Sequence, residues 1–445
     1  MKKFLMTLTG LIIACLSASP QSLIGDWSGK LQVTPQASLK LVFHISGQPV
    51  VSMDSPDQGA YGIAGDVAFL SADSVCIKVP KLMMGFSGRL RDGRIEGTFE
   101  QRGMKLPLTL EPGEAKPARP QTPQPPFPYS SEEIIITHGD VSLGATLTIP
   151  DRPLPSLPVA VMVTGSGPQN RDEEVFGHRP FAVIADYLAR NGIASIRYDD
   201  RGVGKSKGDV TAATTADFAE DAQAVADWAR ANKDFGKVGI IGHSEGGIIA
   251  FMLGAKPQNL DFIVSVAGPA VRGDSILVFQ NLNALSKAGV EDSVASIFGE
   301  ALRKAFSLKI GNPDMTLSDE ALSEIYPSWN DSATTRQLAE GIRGLFRGDM
   351  TPWMQHFISY SPSAALKSLS IPAFLIYGEK DMQVPPSLNA GEALRNAPGA
   401  TVKIYPKLNH LMQHAVTGNV EEYNSIEETI SPEVLSDIAA FIATQ

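Results

Sequence analysis

The sequence predicts an α/β protein with a mostly parallel, doubly wound sheet, preceded by a small all-β domain. After residue 131, apolar runs alternate with helical periods, whereas short alternating strands fill the chain before residue 112. Strands that are apolar on both faces and separated by helices are typical of parallel sheets covered on both sides. A chain of 445 residues also exceeds one ordinary core, so more than one folded unit is expected.

Residues 1–20, "MKKFLMTLTGLIIACLSASP", have the layout of a bacterial export signal. Two lysines precede an apolar run that is short for a membrane span, and small residues follow. Cleavage after this stretch would release a soluble periplasmic or secreted protein, which we favour; cleavage before Cys15 would leave a lipidated N terminus. Because Cys76 is the chain's other cysteine, a mature intramolecular disulfide is excluded.

Residues 21–112 are expected to form a small antiparallel β barrel or sandwich. Apolar and polar positions alternate in runs such as "LKLVFHI" and "VCIKV", and "RDGR" is an Asp-Gly hairpin signal. Trp27 lies in the predicted first strand and is interpreted as a core residue. The alternative is that exposed aromatic residues such as Trp27 bind a glycan or an envelope partner, which would make the chain mainly a binding protein.

Residues 113–130 contain many prolines and are predicted to be an extended linker. The domain at 131–445 begins with two entry strands, and helical signal from about 271 to 370 interrupts its alternation of strands and helices. We expect this interval to be a helical insertion. The six main strands are predicted at 159–165, 193–199, 237–243, 262–268, 372–378 and 401–406.

The charge of the chain argues against a nucleic-acid partner. The formal net charge is −10, and no run of lysine and arginine is long enough to reverse it locally.

The stretch "GHSEGG" places Ser244 at the centre of a G-x-S-x-G motif between the apolar run "KVGII" and a predicted helix. In this strand–turn–helix context the motif indicates a nucleophilic serine. Gly242 and Gly246 are expected to give clearance for a strained turn that exposes the hydroxyl. The alternative is a small residue in an ordinary tight turn.

A serine nucleophile needs a base and a carboxylate that orients it. Asp381, in "YGEKDMQVPP", follows a predicted strand by a short loop and is favoured over Glu379 nearby and the distant Asp200. His410, in "KLNHLMQHA", follows the last strand, so the three residues arrive in the order Ser, Asp, His. A metal site pairing His410 with the histidine four residues on lacks an HExxH motif and matching carboxylates.

A tetrahedral intermediate needs two backbone N–H donors for its oxyanion. Glu245, the residue after Ser244, is expected to supply one at the start of its helix. Ser166, in the glycine-lined loop "TGSGPQNRDE", is the candidate for the second. The alternative is that this loop is only a glycine-rich turn.

The stretch "YDDRGVGKSKG" contains "GKS" but not a phosphate-binding loop. The position five residues before Gly204, which should be glycine, is Asp199. We interpret this segment as a buried structural turn whose aspartate and arginine pair.

Taken in order, "TGSGPQNRDE", "YDDRGVGKSKG", "GHSEGG", "YGEKDMQVP" and "LNHLMQ" resemble the α/β-hydrolase superfamily, and within it bacterial serine esterases near the serine aminopeptidase-like hydrolases. The resemblance covers about residues 132–445. It implies an α/β-hydrolase fold, a triad of Ser244, Asp381 and His410, oxyanion donors at Ser166 and Glu245, and a cap at about 271–370.

From these residues we predict an exported carboxylic-ester hydrolase that acts on a small-molecule ester through an acyl-enzyme and needs no cofactor or metal. The resemblance implies that its substrates are short acyl esters. A serine peptidase of short peptides, using the same triad, is the first alternative. A glycan- or envelope-binding protein is the alternative from another class.

Overall fold

The computed structural model describes residues 23–34, 37–46, 50–58, 60–113, 119–231, 235–256, 260–347 and 350–445. The predicted export signal, with Cys15, lies outside the described residues. The chain divides into two compact units, Met1–Lys116 and Pro117–Gln445. Within the described ranges, no helix has both the length and the apolar character needed to cross a membrane.

The first unit is a closed antiparallel barrel in which each strand pairs with the next and β1 also pairs with β8. Its interior is filled by apolar side chains, among them Phe43 and Phe86, whose rings stack with centroids 5.4 Å apart. The strands are β1 Gly25–Thr34, β2 Ala37–Ile45, β3 Val50–Ser55, β4 Ala60–Leu70, β5 Ser74–Val79, β6 Met84–Arg91, β7 Arg94–Gln101 and β8 Met104–Pro112.

Trp27 belongs to the barrel core, as the sequence suggests. The side chain is 2% exposed, and its indole N–H donates to the Leu23 carbonyl at 3.0 Å. Because the ring is buried, Trp27 cannot present a face to a glycan. Trp27 therefore does not support the alternative that this unit binds a glycan.

The second unit contains an eight-stranded sheet in the order β16-β15-β14-β13-β11-β12-β10-β9. Strands β11 to β16 pair in parallel, whereas β10 is antiparallel to both β9 and β12. The strands are β9 Tyr129–His138, β10 Val141–Pro150, β11 Val159–Val163, β12 Ala194–Tyr198, β13 Val238–His243, β14 Phe262–Val266, β15 Ala373–Gly378 and β16 Thr401–Tyr405. The predicted α/β-hydrolase fold with a doubly wound sheet is confirmed.

Helices cover both faces of this sheet and bury two separate apolar layers. Helices α2 Thr215–Ala231, α3 Glu245–Gly254 and α10 Pro386–Asn396 pack on one face, and α1 Pro180–Arg190 and α12 Pro432–Ala443 pack on the other. The short helix α11 Val420–Tyr423 precedes α12.

The described residues between β14 and β15 are mainly helical, with six helices from Gly273 to Lys367, where the sequence predicts an insertion at about 271 to 370. This insertion has its own apolar core, in which Phe298, Phe306 and Tyr326 are buried. The helices are α4 Gly273–Lys287, α5 Asp292–Gly311, α6 Asp319–Ile325, α7 Ala333–Gly344, α8 Pro352–Ser359 and α9 Ser363–Lys367. We call α4 to α8 the cap.

The predicted linker at 113–130 is too long at its C-terminal end, because the residues from Pro117 onward belong to the second unit. The Arg119 guanidinium donates to the carbonyls of Phe176 and Ile426 at 2.7 and 2.9 Å. Gln121 donates to the Ile430 carbonyl at 2.7 Å and accepts its N–H at 3.1 Å. The described residues 119–128 contain turns and bends, and Thr122 N–H donates to the Arg119 carbonyl at 3.0 Å. Proline spacing could not indicate that the polar side chains between the prolines have partners.

Candidate active site

Ser244 lies in the turn between β13 and α3, with φ of 52° and ψ of −116°. This conformation is unfavourable for a residue with a side chain and persists only where the surrounding structure imposes it. A Cβ atom at Gly242 would lie 2.0 Å from the Gly246 carbonyl oxygen, and one at Gly246 would lie 2.1 Å from the Val163 oxygen. Both glycines are therefore required by the close approach of backbone, as the motif predicts.

Asp381 and His410 lie on the loops that follow β15 and β16 and are hydrogen-bonded to each other. The distance from His410 Nδ1 to Asp381 Oδ2 is 2.7 Å, and both side chains are buried. The other carboxylate oxygen of Asp381 accepts the N–H groups of Gln383 and Val384, each at 2.8 Å. Asp381 is therefore fixed by its own loop, and Nε2 is the nitrogen of His410 that remains for a reacting group.

Ser244 and His410 line the same cavity, of about 330 Å³, beneath the cap. The rings of Trp353 and Phe357 on α8 stack with centroids 5.2 Å apart and form part of its wall. Most other lining side chains are apolar or uncharged: Val175, Phe176, Pro269, Ile276, Leu277, Gln280, Gln383, Val384, Leu411, Val420 and Tyr423.

The loop after β11 borders the serine, as the sequence predicts. An ideal Cβ built on Gly165 would lie 3.2 Å from Ser244 Cβ, and Ser166 lines the cavity. Buried Asp200 fixes both ends of this loop by accepting the Thr164 hydroxyl and the Gln169 N–H, each at 2.8 Å. Burial raises the pKa of Asp200 to about 7.

Glu245 begins α3, where its N–H belongs to the positive end of the helix. Its side chain also has a structural role that the sequence did not indicate. The buried carboxylate accepts the Thr215 hydroxyl at 2.6 Å and the Trp353 indole N–H at 2.9 and 3.0 Å. The residue after the serine is therefore bonded directly to cap helix α8.

Glu173 and His243 form a second buried carboxylate–histidine pair beside the cavity, with 2.8 Å between Oε1 and Nδ1. Sequence analysis did not single out either residue. The signals available were only the acidic run "RDEE" and the histidine before the serine in "GHSEGG". Neither pattern specifies that residues 70 positions apart are in contact.

Two residues that the sequence offered as alternatives, Glu379 for the orienting carboxylate and His414 for a metal site, lie on the surface. Glu379 is exposed and accepts the Lys407 N–H at 2.9 Å. His414 is exposed and bonds to Glu428 at 2.8 Å. Among the residues that the structure describes, no group of three or more histidine, cysteine or acidic side chains could hold a metal ion.

The turn at 198–208 is structural, but its charged residues do not pair with each other as expected. Asp199 pairs with Arg171 at 2.7 Å, and Arg201 pairs with Asp221 at 2.7 Å. The Asp199 carboxylate also fills the space that a side chain at Gly204 would need.

The sheet order and the strained serine turn define an α/β-hydrolase fold, and known hydrolases resemble the chain. A family model described as X-Pro dipeptidyl-peptidase (S15 family) matches residues 138–295. Esterase EstD of Thermotoga maritima is 26% identical over 324 residues, covering 72% of this chain and 67% of the relative. The protein is accordingly a hydrolase, and its resemblance to serine esterases of the α/β-hydrolase superfamily is confirmed.

Solved structures similar to the chain include an esterase and a peptidase. The match to the Pyrococcus furiosus esterase Pf2001 covers 75% of this chain and 99% of the esterase chain, with a TM-score of 0.43 and 16% sequence identity. The match to proline iminopeptidase of Mycobacterium smegmatis covers 70% of this chain and 98% of the peptidase chain, with a TM-score of 0.43 and 15% sequence identity.

Proposed function

We propose that the protein hydrolyses carboxylic esters through an acyl-enzyme formed on Ser244. The main support is the hydrogen bond between Asp381 and His410 at a cavity that Ser244 also lines. A serine hydroxyl is a weak nucleophile at neutral pH and requires a base of this kind. The bond to Asp381 fixes the tautomer that presents an unprotonated Nε2 to the serine.

In the proposed reaction, Ser244 Oγ attacks the ester carbonyl while His410 Nε2 takes its proton. The resulting oxyanion is bound by the N–H groups of Ser166 and Glu245. When the tetrahedral intermediate collapses, the bond to the alcohol breaks and His410 returns the proton to the leaving oxygen. Water then attacks the acyl group with His410 again as base, which releases the acid and restores Ser244.

The cavity favours a short, uncharged acyl group. Its size is at the small end of ligand sites, and no lysine or arginine is among its described lining residues. Two carboxylates also border the cavity, but Glu245 is bonded to Thr215 and Trp353, and Oε1 of Glu173 is bonded to His243.

A peptidase of short peptides is the second candidate, and two observations favour it. The S15 family model matches residues 138–295. In addition, Glu173 Oε2 has no hydrogen-bond partner among the described residues, so it is the acceptor that a substrate ammonium group would use. Against this, the oxygen is buried and its charge is balanced by His243.

A panel of p-nitrophenyl esters from acetate to long acyl chains, assayed beside aminoacyl p-nitroanilides, tests the proposal. We expect kcat/KM to be highest for short esters and Ser244→Ala to reduce it to a trace. Faster cleavage of the anilides would support the peptidase instead. Full ester hydrolysis by Ser244→Ala would refute both.

A further inference from the structure

Glu173 is placed to connect separate parts of the candidate site. It lies in the loop before α1, is 3% exposed, and has φ of 53°, which is uncommon for a residue with a side chain. Its Oε1 accepts the N–H of Gly165 and bonds to His243 Nδ1, each at 2.8 Å. One oxygen therefore contacts both the loop that carries Ser166 and the residue that precedes Ser244.

His243 extends this connection to the loop that carries His410. Its Nε2 lies 3.1 Å from the backbone carbonyl oxygen of His410, and the two rings have centroids 4.8 Å apart. Both neighbours of the ring, a carboxylate and a carbonyl, accept hydrogen bonds only. The ring satisfies both when both nitrogens carry protons, which makes it an imidazolium.

The electrostatic surroundings agree with a charged ring. Burial by itself would lower the pKa of His243, but the charge and hydrogen bond of Glu173 outweigh it, and the net shift is upward. The titratable groups that face the ring are Glu173, His410 and Asp381. With Glu173 ionised, the imidazolium has a counter-ion and adds little net charge beside His410.

We propose that Glu173 and His243 are positioning residues. They form a buried ion pair that fixes three segments relative to one another: the loop that carries Ser166, the turn that carries Ser244 and the loop that carries His410. This inference rests on the proposed function of Ser244 and His410. The pair takes no part in bond making. It acts through the Gly165 N–H and the His410 carbonyl, the two points where it contacts backbone next to reacting groups.

Loss of the pair should slow the reaction more than it weakens substrate binding. The apolar walls of the cavity do not depend on Glu173, whereas the oxyanion donors and His410 must be aligned in the transition state. A displacement of about 1 Å in such groups can cost on the order of 10²-fold in rate. We therefore expect a fall in kcat with KM changed by no more than about threefold.

The test compares Glu173→Leu, Glu173→Gln and the neighbouring control Glu174→Gln, whose carboxylate is on the surface. Glu173→Leu should lower kcat by about 10²-fold. Glu173→Gln should recover part of the loss, because the amide oxygen can still accept the Gly165 N–H. The control should behave as wild type.

The pH profile separates positioning from a merely structural role. Removing the negative charge of Glu173 lowers the pKa of His243, so the ring loses its second proton at lower pH. The alkaline limb of kcat should accordingly move to lower pH in Glu173→Gln, even if Glu173→Leu fails to fold. A wild-type kcat and alkaline limb in Glu173→Gln would overturn the inference.

Failure of the inference is distinguishable from failure of the proposed function. If Ser244→Ala is inactive while both Glu173 variants keep wild-type kcat, only the positioning role is wrong. If the Glu173 variants raise KM for aminoacyl substrates alone and leave kcat unchanged, Glu173 is an amine-binding residue and the positioning role is also wrong.

Discussion

The indole N–H of Trp353 is shared between the two carboxylate oxygens of Glu245, at 2.9 and 3.0 Å. Trp353 belongs to cap helix α8, and Glu245 directly follows Ser244. The same indole ring lines the cavity and stacks on Phe357. This part of the cavity wall is thus bonded to the turn that carries the proposed nucleophile.

Trp353→Phe should loosen this link while preserving an aromatic wall. Hydrogen bonds to charged groups contribute about 1.5–3 kcal/mol, and among the described residues the buried carboxylate would retain only Thr215 as a side-chain partner. We expect a lower urea midpoint and weaker discrimination among acyl chain lengths. Trp329→Phe is the matched control, because its N–H bonds to Ser323 at an exposed site in the same cap. Equal effects of the two substitutions would argue against the link.

Gly246→Ala should prevent the serine turn from forming. The added Cβ would lie 2.1 Å from the Val163 oxygen, on a strand that cannot retreat without breaking the sheet. We expect loss of activity and a large fall in thermal stability. Gly341→Ala in α7 has open space around its Cβ and should instead stabilise the helix by about 1 kcal/mol. Calorimetry of both variants checks the prediction, and a stable, active Gly246→Ala would contradict it.

Asp381→Asn should leave the fold intact and lower kcat by roughly 10⁴-fold, the effect of placing the wrong histidine tautomer against the serine. The amide oxygen can still accept the N–H groups of Gln383 and Val384, so the loop should keep its conformation. Glu379→Gln, two residues away on the surface, is the control and should retain wild-type kcat. A small effect of Asp381→Asn would mean that another carboxylate orients His410.

Mild acid should destabilise the region around His178. The ring is fully buried, and its Nε2 and Nδ1 lie 3.0 Å from the Tyr423 carbonyl and the Thr429 hydroxyl. Burial, reinforced by the charge of Arg119, lowers the pKa of His178 to about 4.

The lowered pKa fixes the direction of the effect. Between the unfolded value of about 6.5 and the folded value of about 4, the unfolded chain binds the proton more readily. The contribution of neutral His178 to the free energy of unfolding is therefore fully present above pH 6.5 and is lost as the pH falls toward 4. Urea midpoints across this range should fall for wild type and for His414→Gln, which changes an exposed histidine, and fall less for His178→Gln. Equal slopes in all three would contradict the assignment.

Local patterns in the sequence account for most of the fold. Each of the six predicted parallel strands is present, since runs such as "VAVMV" and "AFLIYG" are apolar on both faces. The alternation in residues 21–112 could not distinguish a barrel from a sandwich, because both bury every second residue. The choice depends on whether β1 meets β8, a contact between residues far apart in sequence.

In the candidate site, too, local patterns predicted some features and not others. Ser244, Asp381 and His410 could be predicted because each follows a recognisable strand, and parallel strands end at one edge of the sheet. The bonds of Glu173 to His243 and of Glu245 to Trp353 join residues 70 and 108 positions apart. No local spacing encodes such contacts, so only the folded chain reveals them.

The central claim is that Ser244 forms a covalent acyl intermediate with His410 as base. Rapid-quench mass spectrometry during turnover of p-nitrophenyl acetate tests it most directly. We predict a transient acetyl adduct on the peptide that contains Ser244, which is absent in Ser244→Ala and slow to form in His410→Gln. Turnover by wild type with no adduct on Ser244 at any time, or an adduct on another residue, would contradict the account.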